Sequence, residues 1–155
     1  MSKWIDVASI EWLPLQKPYI VSQAAESALT SRLEKAGFDV RGLDGREIED
    51  EESFFAQISR ALGFPAYFGN NWDAFHDSFG DLAYLSKGPL AVVWREASRL
   101  LPANWPLLFR ATHEILVASC GLGRSTAGAE PQLQCELFLV GSGPGFDARP
   151  VEGGR

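Results

Sequence analysis

Only two cysteines, Cys120 and Cys135, occur among the 155 residues, too few for a disulfide scaffold, so reduced thiols are expected. No stretch approaches the roughly 18 consecutive apolar residues of a membrane span. The opening Met1-Ser2-Lys3-Trp4-Ile5-Asp6 lacks the continuous apolar region of a secretory signal, so a soluble cytoplasmic protein is expected. Positive charge is scarce: 14 Lys and Arg against 20 Asp and Glu leave a net charge of -6. That deficit argues against direct binding to nucleic acid or an anionic membrane and favours a basic partner. Histidine is rarer still. His76 and His113 have no HExxH-like spacing, the two cysteines do not form a zinc knuckle, and neither a P-loop nor a GxSxG turn is present. No metal and no cofactor are expected.

What is present is globular: 46% hydrophobic and 22% charged residues in a chain of one-domain size. Pro18-Tyr19-Ile20-Val21 reads as a strand, and Ala24 to Ala36 as a helix capped by Gly37. Phe38 to Leu43 alternates as a half-exposed strand does, and Asp44-Gly45 supplies a turn. Asp50 is placed to cap a helix whose stripe is Phe54, Phe55, Ile58, Ala61 and Leu62, ended by Gly63 and Pro65. Pro65 to Asn70 is a loop, and a short helix opens at Asn71 and runs to about Phe79. Leu90 to Trp94 is a buried strand, Leu107 to Ser119 a helix, and Cys135 to Val140 the last strand. Gly121 to Gln132 reads as a flexible insertion. The alternation of strands and helices predicts an α/β fold in which a small parallel sheet is flanked by helices in three layers. Residues 1–37 form an N-terminal β-α extension, 38–140 the main domain, and 141–155 a disordered tail.

Chemistry concentrates between Ala61 and Ser86, which contains no Lys or Arg, while Asp73, Asp77 and Asp81 recur every four residues. At 100° per residue, Trp72, Phe75, Phe79 and Leu82 gather on one side of a helix and Asp73, His76, Asp77 and Gly80 spread over another. Like charges at i and i+4 weaken a helix by roughly 0.2–0.5 kcal/mol, which Asp73 partly offsets by lying near the positive end of the helix dipole. A solvated helix face is the plain reading; a presented acidic surface awaiting an external cation is the functional one. Tyr67 and Phe68 precede the helix, and aromatic side chains beside carboxylates suit a protein interface. For Phe68, packing into the core is the competing expectation.

The run Leu43-Asp44-Gly45-Arg46-Glu47-Ile48, then Ala61-Leu62-Gly63-Phe64-Pro65-Ala66-Tyr67-Phe68-Gly69-Asn70-Asn71-Trp72-Asp73-Ala74-Phe75, then Gly88-Pro89-Leu90-Ala91-Val92-Val93-Trp94, resembles the barstar family of ribonuclease inhibitors. The likeness extends over about Phe38 to Val140. It implies a fold with a three-stranded parallel sheet and an acidic helix, with its preceding loop, that plugs the active site of a basic, secreted, guanyl-type ribonuclease in a 1:1 complex. By position, the resemblance makes Tyr67, Phe68, Asn71, Asp73, His76, Asp77, Gly80, Asp81 and Glu114 the partner-binding residues. Asp77 is implied to enter the nuclease's phosphate pocket, and a carboxylate on a rigid helix can stand in for a phosphate held by Arg and His. The chain departs from the family pattern at His76, which replaces Trp, and at Gly80-Asp81-Leu82, which replaces Thr-Gly-Trp. A charged His76 would offset part of the field of Asp73 and Asp77.

Three other readings compete. Asp73, His76, Asp77 and His113 could form an acid/base or metal cluster, although their spacing is poor for either. The same fold could serve an immunity or interaction protein that binds a divergent toxin or another basic protein. RNA binding is opposed by the acidic face and the scattered cations.

Overall fold

The computed structural model describes residues 4–7, 17–86, 88–122 and 133–147. Four parallel strands form one sheet: β1 (Tyr19–Ser22), β2 (Asp39–Asp44), β3 (Leu90–Arg95) and β4 (Cys135–Gly141), in the order β1-β4-β3-β2. Parallel strands need crossovers, which are α1 (Glu26–Ala36), α2 (Glu51–Leu62) with α3 (Trp72–Leu85), and α4 (Leu100–Leu122).

β3 and β4 occupy the middle of the sheet, and apolar side chains cover both of their faces, interrupted in β4 by Glu136. Leu90, Val92 and Trp94 of β3, with Cys135, Leu137 and Leu139 of β4, meet α2, α3 and α4 in one core. The intervening Ala91, Val93, Phe138 and Val140 join Leu29 and Leu33 of α1 in a second. The expected three-layer α/β architecture is therefore present, with four strands, and β1 of the N-terminal extension lies beside β4 in the same sheet. Its neighbourhood holds a buried carboxylate: Glu136 is 3% exposed and meets Lys17 Nζ at 2.8 Å.

Helix boundaries follow local chemistry. Gly37 closes α1 at φ 107°, and its amide reaches Glu34 and Leu33 carbonyls. Asp50 and Ser53 form a reciprocal capping box on α2, and Gly63 ends it at φ 67°.

Four sequence expectations require correction. α3 runs to Leu85, six residues past Phe79, because Leu82 continues the buried stripe of Phe75 and Phe79 across Gly80. α4 begins at Leu100, ahead of Leu107, and bends at Asn104, whose side chain accepts from the Leu107 amide at 3.3 Å while Pro106 occupies the first turn beyond. Pro102 and Pro106 each fall near a helix start, where no amide is required. The expected tail from 141 begins as ordered chain: Gly141 completes β4, and Phe146, 4% exposed, closes over the α2–α4 core. Gly141 is needed there, since a Cβ would stand 2.6 Å from both Phe146 and Ser98. Of the expected insertion 121–132, Gly121 and Leu122 belong to α4; residues 123–132, like 148–155, lie outside the described residues.

Candidate protein-binding face

The loop before α3 is built by its own hydrogen bonds. Phe64 N donates to Ser59 O at 2.9 Å, and Phe68 N to Pro65 O at 2.9 Å, which folds the chain tightly over the end of α2. Phe64 and Phe68 turn inward, with ring centroids 5.1 Å apart, and Phe68 also meets Phe55 edge-on at 5.8 Å. Tyr67, between them, is 87% exposed. The two aromatic residues expected to act together are thus divided, Tyr67 presented and Phe68 half-buried against the core. Asn70 takes a left-handed conformation, φ 51°, which redirects the chain into α3. Asn71 caps that helix: its Oδ1 accepts from Ala74 N at 2.8 Å and its Nδ2 donates to Gly69 O at 3.1 Å.

On α3 the two faces separate as the periodicity predicts. Phe75 and Phe79 are fully buried and Leu82 is 5% exposed, while Asp73, Asp77, Gly80 and Asp81 are exposed. Among the described residues, no cation pairs with Asp73, Asp77 or Asp81. Three carboxylates spaced about 6 Å apart along the axis therefore face solvent uncompensated.

His76 and Glu114 take a different position. His76 Nε2 meets Glu114 Oε2 of α4, and Arg110 Nε donates to Glu114 Oε1 at 2.9 Å. Glu114 is largely enclosed, its side chain 14% exposed. Burial pushes its carboxyl up, but the bonds from His76 and Arg110 prevail and hold it below the usual glutamate range. The Arg110 guanidinium also lies over the Trp72 ring, 5.2 Å from its centroid, and Trp72 Nε1 donates to Glu51 Oε1 at 3.1 Å. These contacts tie α2, α3 and α4 together beside the acidic face. Glu114 is engaged within the chain, and His76 points to it instead of standing among the aspartates.

Sequence reasoning missed Tyr84 and Leu85, 69% and 71% exposed at the end of α3. A seven-residue spacing puts Tyr84 within about 20° of Asp77, a signal available only once the helix is known to reach that far. His113 is exposed on α4. Among the described residues, no three His, Cys, Asp or Glu gather to hold a metal ion, and no helix is long and apolar enough to cross a membrane.

One side of this small parallel α/β domain thus carries an acidic helix face with an exposed aromatic residue in the loop at its start, a surface whose charge is complementary to a positively charged one. The sequence profile of the family described as "Barstar (barnase inhibitor)" matches residues 38–129, and the chain belongs to that family. No curated protein matches it. Among solved structures it is similar to the "Aeropyrum Pernix ORC2 protein (ADP form)", with 19% identity and a TM-score of 0.43 over 77% of this chain. The chain spans only 29% of that protein's length, and likeness at this level carries nothing over about function.

Proposed function

We propose that the protein inhibits a basic, secreted, guanyl-type ribonuclease as a 1:1 complex, inserting the outer face of α3 and the Tyr67 loop into the active site. The reading rests on the uncompensated stripe Asp73, Asp77 and Asp81, presented by a helix whose other side is locked by Phe75, Phe79 and Leu82. A nuclease that holds a phosphodiester with Arg, Lys and His has a concave cationic site, and Asp77 at the centre of the stripe replaces the phosphate. Because the helix is already rigid, little conformational entropy is lost on docking. Tyr67 adds a large exposed ring beside the charges, and Asn71 holds the start of the helix in place. The role is that of an inhibitor, without catalysis of its own, and it suits the cytoplasm, where a nuclease must be held before export. Opposite charge on the two partners makes association fast and weakened by salt.

The test is inhibition of a panel of basic guanyl-type ribonucleases by the wild-type protein and by Asp77→Ala. Tight inhibition that disappears in the variant supports the reading. No inhibition of any panel member moves the assignment to a second reading, an immunity protein for a divergent basic toxin. That reading is favoured by Gly80-Asp81-Leu82, which reshapes the face where the family carries Thr-Gly-Trp.

A further inference from the structure

α4 carries two apolar stripes. The inner one, Leu107, Leu108, Ala111 and Ile115, is buried in the core. The outer one runs along Trp105, Phe109, Thr112 and Leu116, spaced four, three and four, which is the rhythm of a seam on which a second helix packs. Trp105 is 58% exposed and Phe109 65%, and their rings meet edge-on at 5.8 Å. Leu101 and Val117, both exposed, extend the apolar surface towards either end of the helix. A helix that is apolar on both sides needs cover on both.

Charge limits what can cover this face. The chain carries a net charge of -6, and the free carboxylates of α3 repel a second copy. The outer side of α4 has no carboxylate. Glu114, the acidic residue of this helix, bonds to Arg110 and to His76 on the side towards α3, and Trp105 and Leu116 lie about 160–180° round the helix from it. His113 is the titratable neighbour on the outer side, and it is exposed. A basic partner finds no complement here, whereas a second copy meets no repulsion.

Shape and size favour the same occupant. The bulk of the stripe is uneven, with Trp105 and Phe109 in its first half and Thr112 and Leu116 in its second. An antiparallel pair whose two-fold axis passes midway between Phe109 and Thr112 sets Trp105 against Leu116 of the second copy and Phe109 against its Thr112, large against small throughout. The exposed parts of the two rings and their aliphatic neighbours offer roughly 500 Å² a copy, so the pair covers about 1,000 Å², the size at which a contact becomes a specific interface.

We infer that a second copy of the chain docks on the outer side of α4, the two helices antiparallel about a two-fold axis. Because α3 lies on the other side of α4, each acidic face stays open and the dimer presents two of them. The inference does not depend on the ribonuclease reading.

The experiment is analytical ultracentrifugation of the full chain from low to high micromolar concentration, for wild type, Phe109→Glu, Phe109→Arg and an equal mixture of the two variants, with a thermal melt of each. Wild type moves from the mass of one chain to that of two. Each variant melts near wild type, since position 109 is exposed, but dissociates: the two-fold repeats the substitution, so the dissociation constant rises roughly a hundredfold or more. The mixture regains dimer, because the axis brings the two copies of position 109 side by side and pairs Glu with Arg. A wild type that stays monomeric overturns the inference, and a melt lowered by Phe109→Glu would then place a segment of the same chain on this face. A dimer that Phe109→Glu leaves intact also overturns it, as does a mixture no more dimeric than either variant alone.

Discussion

His76 and Glu114 are 38 positions apart in sequence, yet His76 Nε2 and Glu114 Oε2 meet between α3 and α4, where Arg110 donates to the other carboxylate oxygen. The acidic helix is thus braced from behind by a carboxylate that is itself neutralised. Glu114 steadies the presented face and adds little negative field to it.

Glu114→Gln tests that brace. The folded carboxyl lies below its ordinary value, so ionised Glu114 stabilises the native state above the unfolded pKa of about 4.3, and the contribution fades as pH falls through the lower folded value. Because Arg110 and His76 are solvent-screened, the expected deficit of the variant at neutral pH is about 1 kcal/mol, by urea denaturation. The two unfolding curves should converge in acid; a gap independent of pH would exclude the charge as its cause.

Phe75 carries the attachment of α3 to the core. It is fully buried and its ring packs against Phe54, Phe64, Trp72 and Phe79 at centroid distances of 5.3 to 6.5 Å. Phe75→Ala should lower stability by roughly 3–5 kcal/mol. Unchanged stability on denaturation would contradict the assignment of helix faces.

Asn71 has a folding role separate from any partner contact. Losing the bond from its Oδ1 to the Ala74 amide should cost Asn71→Ala about 1 kcal/mol, while Asn71→Asp, which keeps the acceptor, should melt near wild type. Equal losses in both variants would remove the capping explanation.

Asp77 weakens the fold that presents it. Asp73 and Asp81 lie one turn to either side, so Asp77→Asn should raise stability by about 0.5 kcal/mol at low ionic strength, with the gain shrinking as salt is added. A salt-independent gain would point away from charge repulsion.

The two thiols should separate cleanly. Cys120 is exposed, whereas Cys135 is buried in β4, where burial pushes its thiol up to about 12. One equivalent of a thiol reagent should react with the folded protein near pH 8 and the second only in denaturant. Two fast equivalents would mean that β4 is accessible.

Much of this was legible in the sequence because it is written in local patterns. The stripe from Phe54 to Leu62, the caps Asp50 and Asn71, the closing Gly37 and Gly63, and the apolar runs of β3 and β4 all depend on neighbours within a turn or a strand. The acidic face of α3 belongs here too, since a four-residue spacing of aspartates against a spacing of buried aromatics needs only the helix period. What was not legible depends on residues distant in the chain. Leu82 extends α3 past Gly80 because the core behind it is apolar, and Phe146 draws an expected tail inward by packing beside Ser98 and Gly141.

Sequence alone determined that this is a three-layer α/β protein with an acidic helix, because period, capping and charge are properties of short segments. Tertiary structure alone decided which acidic side chains remain available. Asp73, Asp77 and Asp81 stay uncompensated at the surface, while Glu114 is taken by His76 and Arg110, since ion pairing depends on which elements pack together in space. The same packing turned Phe68 inward and left Tyr67 and Tyr84 facing outward, where a partner can reach them.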